Sequence, residues 1–137
     1  MQKLDLIKLY SKKRGLVVDE FPDMRASIKR MLRSFGVEQV DIANDGGEAM
    51  ARCRENEYDI IICDYSLGTG KNGQQILEEL RFTQSFKHQA IYILVTAETT
   101  RSMVFGALEY KPDDYLTKPF TQVLLQSRLD NILLEKQ

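Results

Sequence analysis

The sequence predicts an α/β domain with a doubly wound, five-stranded parallel sheet and helices on both faces. Short runs of β-branched and aliphatic residues alternate five times with longer segments whose apolar residues recur at helical spacing. The strongest run, residues 60–63, contains four consecutive apolar residues, which is typical of a strand that is buried on both faces. This alternation favours a parallel sheet with helices on both faces, in which the strand-to-strand crossovers are right-handed.

The sequence of the N-terminal part of the chain predicts a lead-in, followed by one strand and one helix. Residues 1–13 form a cationic lead-in, for which a short amphipathic turn and a frayed end remain alternatives. The first strand covers residues 15–18. The following helix begins near Pro22, since proline fits the first turn of a helix, and ends at Gly36, a residue that commonly terminates helices.

The sequence of residues 37–64 predicts a strand, a second helix and a further strand. A weaker strand covers residues 37–43. The helix after it is capped by Asn44 or Asp45 and ends near Glu57. The strongest strand then covers residues 58–64.

The second half of the chain continues the same alternation. A loop with three glycines over residues 65–73 matches neither a P-loop nor a dinucleotide-binding fingerprint. The remaining predicted elements are a helix with apolar residues Ile76, Leu77, Leu80 and Phe82, a strand over 90–95, a helix over 98–108, a strand over 115–117, and a last helix with an apolar stripe at Leu125, Leu129, Ile132 and Leu133. Residues 14–137 are therefore expected to form one domain.

Composition excludes several classes of function. The 137 residues carry a net charge of −1, which provides no strong field for nucleic acid or an anionic membrane. No apolar run approaches the length of a membrane span, so a cytoplasmic protein is expected. Cys53 and Cys63 are interpreted as small buried apolar side chains in a reducing compartment. With His88 as the only histidine, a histidine-rich metal site and a Ser/His/Asp triad are disfavoured.

Polar residues stand at the carboxyl ends of four predicted strands: Asp19 and Glu20, Asp64, Thr96, and Lys118. Parallel strands bring these ends to one edge of the sheet, where ligands bind in open α/β folds. Two carboxylates about 4 Å apart repel by roughly 4 kcal/mol at an effective dielectric constant of 20. A raised pKa, the lysine or a divalent cation must offset that repulsion. Oxygen ligands without cysteine or histidine suit Mg²⁺, and an aspartate beside Mg²⁺, a lysine and a hydroxyl indicates phosphoryl transfer.

Four motifs in order resemble a known family. They are Leu-Val-Val-Asp-Glu at 16–20, Asp-Ile-Ile-Ile-Cys-Asp at 59–64, Val-Thr-Ala at 95–97 and Tyr-Leu-Thr-Lys-Pro-Phe at 115–120. Together they resemble the receiver domain of two-component response regulators, of the chemotaxis-regulator type, over nearly the whole chain. The resemblance implies a flavodoxin-like arrangement of the sheet.

The resemblance also implies the roles of the site residues. Asp64 would accept a phosphoryl group from a histidine kinase or a histidine phosphotransfer protein. The implied Mg²⁺ ligands are Asp19 through a water, Glu20, Asp64 and the backbone carbonyl of Ser66. Thr96 and Lys118 would bind the phosphoryl oxygens, Tyr115 would act with Thr96 as the switch, and the Lys118–Pro119 bond would be cis.

On this interpretation the chain is a signalling phosphoacceptor that catalyses its own phosphorylation and dephosphorylation, rather than a turnover enzyme. Its expected partners are the phosphoryl donor and a downstream effector domain or protein. A phosphorylation-dependent homodimer remains open. The switch would act on the face formed by the predicted helix over 98–108, the fifth strand and the last helix.

Two departures from the family pattern accompany the match. Glu20 stands where the family often has a second aspartate, and Gly68 and Gly70 lie in a loop that is one residue longer and lacks the common Met-Pro pair. A receiver-like module that binds proteins independently of phosphorylation is the main alternative. A phosphatase of the haloacid-dehalogenase type would need a second aspartate where Ser66 stands.

Overall fold

The computed structural model describes residues 3–68, 70–86, 89–97 and 110–136. Its elements are α1 (Lys3–Ser11), β1 (Arg14–Val18), α2 (Pro22–Phe35), β2 (Gln39–Ala43), α3 (Gly46–Glu55), β3 (Ile60–Asp64), α4 (Gly73–Phe82), β4 (Ile91–Thr96), β5 (Asp114–Thr117) and α5 (Gln122–Glu135). The helix predicted over 98–108 and the residue His88 lie outside the described residues.

The five strands form one parallel sheet in the order β2-β1-β3-β4-β5. The chain thus starts near the centre, turns to one edge and then crosses back to build the other half. All five residues of the central strand β3 are buried. The predicted fold class, a doubly wound parallel sheet, is confirmed.

The sheet separates two hydrophobic cores. One core combines strand residues such as Val17 and Ile62 with apolar residues of α2 and α5. The other combines Leu16, Cys63 and Tyr92 with apolar residues of α3 and α4. Successive strand residues contribute to opposite cores because side chains alternate between the faces of a strand.

Both cysteines are buried in the second core, as the sequence predicts. Cys53 is 7% exposed and Cys63 is fully buried. Burial raises the pKa of Cys53 to about 11 and that of Cys63 to about 12. These thiols therefore stay protonated near neutral pH and pack as small apolar groups.

The helices begin and end largely where their capping residues indicate. Pro22 is the first residue of α2, and Gly36 ends it with a φ of 121°, a left-handed conformation that glycine adopts without strain. Of the two cap candidates for α3, Asp45 accepts a hydrogen bond from the Glu48 amide. No helix in the described part of the chain is both long and apolar enough to cross a membrane.

Residues 3–11 of the lead-in form a helix that packs on the domain. Tyr10 is 1% exposed, and its ring lies 5.9 Å from that of Phe35 on α2. Its hydroxyl donates a 2.5 Å hydrogen bond to Asp130 Oδ1 on α5. The helix α1 therefore connects α2 to α5 and contributes a side chain to the first core.

Strand boundaries differ from the sequence predictions by one or two residues. The strand predicted over 58–64 begins at Ile60, because its pairing with β1 starts at Gly15 and Ile60. The strand predicted over 37–43 begins at Gln39, which pairs with Arg14. In both cases the neighbouring strand, rather than local composition, sets where the strand begins.

Candidate functional site

The register of the sheet brings the predicted site residues to one edge. Val18, directly before Asp19, pairs with Cys63, directly before Asp64. On the other side of β3, Asp64 pairs with Val95, which precedes Thr96. Thr96 then pairs with Thr117, directly before Lys118. The predicted site residues Asp19, Asp64, Thr96 and Lys118 therefore lie side by side at the carboxyl ends of β1, β3, β4 and β5.

Lys118 connects the two aspartates of this edge. Its Nζ lies 2.8 Å from Asp19 Oδ2 and 3.0 Å from Asp64 Oδ2. The side chains of Asp19 and Asp64 are 1% and 7% exposed, so water does little to screen their charges. The Lys118–Pro119 peptide bond is cis, as the family resemblance implies.

The environment of this cluster shifts the pKa values of Asp64 and Lys118. Burial raises the pKa of Asp64, the Lys118 hydrogen bond and charge oppose the increase, and the charge of Asp19 adds to it, with a net result above the ordinary value. Burial alone would lower the pKa of Lys118, but hydrogen bonds and charge from Asp19 and Asp64 raise it. The ammonium therefore stays charged and offsets the repulsion between the two carboxylates.

Asp19 is held by contacts that the sequence analysis missed. Its Oδ1 accepts a 2.9 Å hydrogen bond from the Phe21 amide, and its backbone carbonyl accepts a 2.7 Å bond from Arg25. Arg25 also donates to Asn44 Oδ1 at the end of β2. The Phe21 ring lies 6.0 Å from Lys118 Nζ, within the range of a cation–π contact. The sequence gives no signal that Phe21 and Arg25, near the start of α2, would make these contacts.

Glu20 lies against the loop that follows Asp64. A Cβ atom added to Gly68 would lie 2.8 Å from Glu20 Oε2, so the glycine leaves room for the carboxylate. Gly68 also has a φ of 76°, which a residue with a side chain rarely adopts. Ser66, in the same loop, is exposed.

The donor chemistry of this edge fits Mg²⁺. The carboxylates of Asp19, Glu20 and Asp64 and a loop carbonyl are all hard oxygen donors, and Mg²⁺ commonly takes one or two carboxylates with waters and a phosphate. Among the described residues, no three acidic, histidine or cysteine side chains are already gathered into a metal-binding cluster. Lys118, rather than a third carboxylate, lies between the two buried aspartates.

Thr96 and Tyr115 lie on adjacent strands beside this cluster. Thr96 is 8% exposed at the end of β4. Tyr115 is half-buried, pairs with Leu94 in register, and packs against the second core. The Lys118 amide donates to the Thr96 carbonyl at 2.8 Å. Thr96 therefore contacts the backbone of the lysine that binds Asp64, and Tyr115 lies three residues before that lysine, on the neighbouring strand β5.

A doubly wound domain that presents two buried carboxylates, a lysine and a threonine at the carboxyl edge of its sheet has the architecture of a receiver domain. The family model of the response regulator receiver domain matches residues 16–130. The chain belongs to this family.

Relatives of the chain include chemotaxis regulators. Chemotaxis protein CheY-3 of Vibrio cholerae is 31% identical over 117 residues, covering 85% of this chain and 88% of that protein. Chemotaxis protein CheY of Pseudomonas aeruginosa is also 31% identical over 117 residues, covering 85% of this chain and 93% of that protein.

Solved structures of response regulators share the fold. The response regulator protein TrrA from Thermotoga maritima, in complex with Mg(2+)-BeF, is 30% identical with a TM-score of 0.71, covering 88% of this chain and 98% of that chain. A Francisella response regulator receiver domain is 26% identical with a TM-score of 0.76, covering 91% of this chain and 99% of that chain. The chain is thus a receiver domain similar to chemotaxis regulators.

Proposed function

We propose that the chain is a Mg²⁺-dependent phosphoacceptor and that Asp64 receives a phosphoryl group from a histidine kinase or a histidine phosphotransfer protein. The observation that carries this proposal is the Lys118 ammonium, which contacts both Asp19 and Asp64 at the carboxyl edge of the sheet. Such a lysine can move its hydrogen bond from a carboxylate to a phosphoryl oxygen without crossing the site. Membership of the receiver family and the TrrA complex with Mg(2+)-BeF support the same chemistry.

The proposed reaction uses the side chains at the carboxyl edge of the sheet. A carboxylate oxygen of Asp64 attacks the phosphorus of a phosphohistidine, the P–N bond breaks, and its electron pair stays on the imidazole nitrogen. Lys118 and the Thr96 hydroxyl donate to oxygens of the transferred group and stabilise its charge. A bound Mg²⁺ would add positive charge beside those oxygens, and Asp19, Glu20, Asp64 and the Ser66 carbonyl are the groups that would hold it. Attack of water on the phosphorus later releases phosphate and restores the Asp64 carboxylate.

Phosphorylation in vitro tests this proposal directly. Incubation with Mg²⁺ and either acetyl phosphate or a phosphorylated kinase should add one phosphoryl group, detected by intact-mass spectrometry. The group should be absent in Asp64→Asn and strongly reduced without Mg²⁺. Asp23→Asn, which changes an exposed aspartate near the same edge, serves as the matched control and should be modified like the wild type.

Two results would argue against this function. Equal modification of Asp64→Asn would show that the phosphoryl group goes elsewhere. A wild-type chain that takes no phosphoryl group but still binds a signalling partner would favour the alternative, an interaction module that works independently of phosphorylation.

We propose further that Thr96 and Tyr115 transmit phosphorylation to a partner surface. A phosphoryl oxygen makes a stronger hydrogen bond than a neutral acceptor, so it draws the Thr96 hydroxyl towards Asp64. The space that Thr96 leaves is available to the ring of Tyr115. Phosphorylation then needs only to favour one of two existing arrangements. Val123 and Leu134 on α5, which are 77% and 41% exposed, offer apolar contacts for the partner.

Variants at the two switch positions should separate phosphorylation from its output. Thr96→Ala and Tyr115→Ala are expected to accept a phosphoryl group yet lose partner binding or dimerisation that depends on it. Sedimentation before and after phosphorylation measures dimerisation, and Thr117→Ala, an exposed threonine paired with Thr96, is the control. Phosphorylated variants that bind or dimerise like the wild type would contradict the switch.

A further inference from the structure

The loop that follows β3 begins and ends at residues that contact each other. The amide of Gly73, the first residue of α4, donates a 2.8 Å hydrogen bond to the Tyr65 carbonyl. The Asp64 carbonyl packs so closely on Gly73 that a Cβ atom there would overlap with it. Asp64, Tyr65 and Gly73 are called here the neck of the loop. The neck therefore joins the end of β3 directly to the start of α4.

Tyr92, the second residue of β4, contacts this neck. Its side chain is fully buried, and its hydroxyl donates a 2.7 Å hydrogen bond to the Gly73 carbonyl. The same hydroxyl interacts with the Cys63 thiol, which in turn donates to the Asp64 carbonyl at 3.3 Å. One side chain therefore reaches both ends of the loop, one directly and the other through Cys63.

Packing alone does not account for a tyrosine at this position. The neighbouring β4 residues Ile91, Ile93 and Leu94 are apolar, and a phenylalanine would fill nearly the same volume. Burying a hydroxyl costs free energy unless it is hydrogen-bonded. The Gly73 carbonyl already has a partner within α4 by helix geometry, so the bond from Tyr92 is additional to what the helix needs. Its specific effect is to connect β4 to the neck.

We propose that Tyr92 is a positioning residue for phosphoryl transfer, because its hydroxyl holds the neck and thereby the orientation of Asp64 and of the loop that carries the Ser66 carbonyl. This inference rests on the proposed function. Tyr92 does not touch the reacting atoms, so it acts on the geometry of the nucleophile and not on binding of the phosphoryl donor.

The test compares Tyr92→Phe with Tyr10→Phe. Each variant removes one hydroxyl from a tyrosine that is at most 1% exposed and makes a hydrogen bond, but Tyr10 contacts Asp130 on α5, away from the neck. With acetyl phosphate and Mg²⁺, Tyr92→Phe should lower the rate at saturating donor by about three- to tenfold, the change expected for one lost hydrogen bond. The donor concentration that gives half the maximal rate should not change. Tyr10→Phe should lose stability but keep the wild-type rate.

Each outcome bears on the inference. A wild-type rate in Tyr92→Phe, or a rate that falls in both variants in proportion to stability, would overturn it and leave the proposed function intact. A wild-type chain that takes no phosphoryl group would overturn the proposed function and this inference together. Should Tyr92→Phe fail to fold, Cys63→Ala removes the second contact to the neck, and a wild-type rate in that variant would overturn the inference.

Discussion

Replacing Lys118 with methionine is expected to lower the free energy of unfolding by about 3–5 kcal/mol at neutral pH, the usual cost of removing one partner from a buried ion pair. The ammonium is the group that contacts both Asp19 and Asp64, whose side chains are nearly inaccessible to water. Because their two carboxylate oxygens contact the same nitrogen, they lie within about 6 Å of each other and repel strongly once it is gone. Methionine fills most of the volume of lysine, so the loss is one of charge.

The destabilisation should shrink as the pH falls. Burial raises the pKa of Asp64, so the folded state keeps its proton at a higher pH than the unfolded state, and ionisation of Asp64 opposes folding as the pH rises. Without Lys118 this opposition grows. The Lys118 ammonium itself stays charged over this whole pH range, since its pKa is raised above 10.5, so the change with pH comes from the ionisation of Asp64. Urea unfolding between about pH 8 and about pH 4 measures the difference.

A double-mutant cycle isolates the charge effect. Asp64→Asn added to Lys118→Met should restore most of the lost stability, because only one carboxylate remains. Lys111→Met, an exposed lysine ahead of β5, controls for the general effect of losing a cation. If Lys118→Met were no less stable than Lys111→Met, the ammonium would not be stabilising the aspartate pair.

Replacing Gly73 with alanine is expected to cost about 3 kcal/mol or more, as overpacking against immobile atoms does. The added methyl group would overlap with the Asp64 carbonyl oxygen and would lie 2.6 Å from Leu94 Cδ1. Asp64 is fixed in the central strand, and Leu94 is fully buried, so neither atom can yield easily. The φ of Gly73 is not positive, so the expected cost comes from space alone.

Gly47 provides the matched control for this substitution. It is the second residue of α3, as Gly73 is the first residue of α4, and a Cβ atom there would meet only Asp45 Oδ1 at 3.5 Å. Gly47→Ala should be neutral or stabilising by about 0.5–1 kcal/mol, because alanine favours the helix and restricts the unfolded chain. Equal midpoints of urea unfolding for the two variants would show that Gly73 is not confined as described.

The position of the candidate site could be predicted because its determinants are local. Buried strands are visible as apolar runs, and polar residues directly after them must meet if the strands are parallel. That logic places Asp19, Asp64, Thr96 and Lys118 together, and the register of the sheet does so. The start of α2 at Pro22 and its end at Gly36 could likewise be predicted, because these residue types have strong conformational preferences. The cap of α3 could be narrowed to Asn44 or Asp45, and the structure has Asp45.

The supporting contacts could not be predicted because they depend on neighbours that are distant in sequence. Arg25 holds the Asp19 carbonyl, and Tyr92 holds the Gly73 carbonyl 19 residues away, yet neither residue type signals such a role. Tyr10 reaches Asp130 across 120 residues. Apolar periodicity shows which face of an element is buried, but it does not show which atom a buried hydroxyl contacts.

The N-terminal helix has a consequence for how this domain can be transplanted. The family pattern spans residues 16–130, whereas Tyr10 at one end and Leu133 at the other both belong to the first core. A chimera cut at the borders of the family pattern would lack Tyr10, which contacts both α2 and α5. It would therefore leave Phe35 without its aromatic neighbour and Asp130 without its hydrogen bond from Tyr10. The modular unit of this receiver is therefore longer than the pattern by which its family is defined, and a fusion partner joined ahead of it must leave α1 in place.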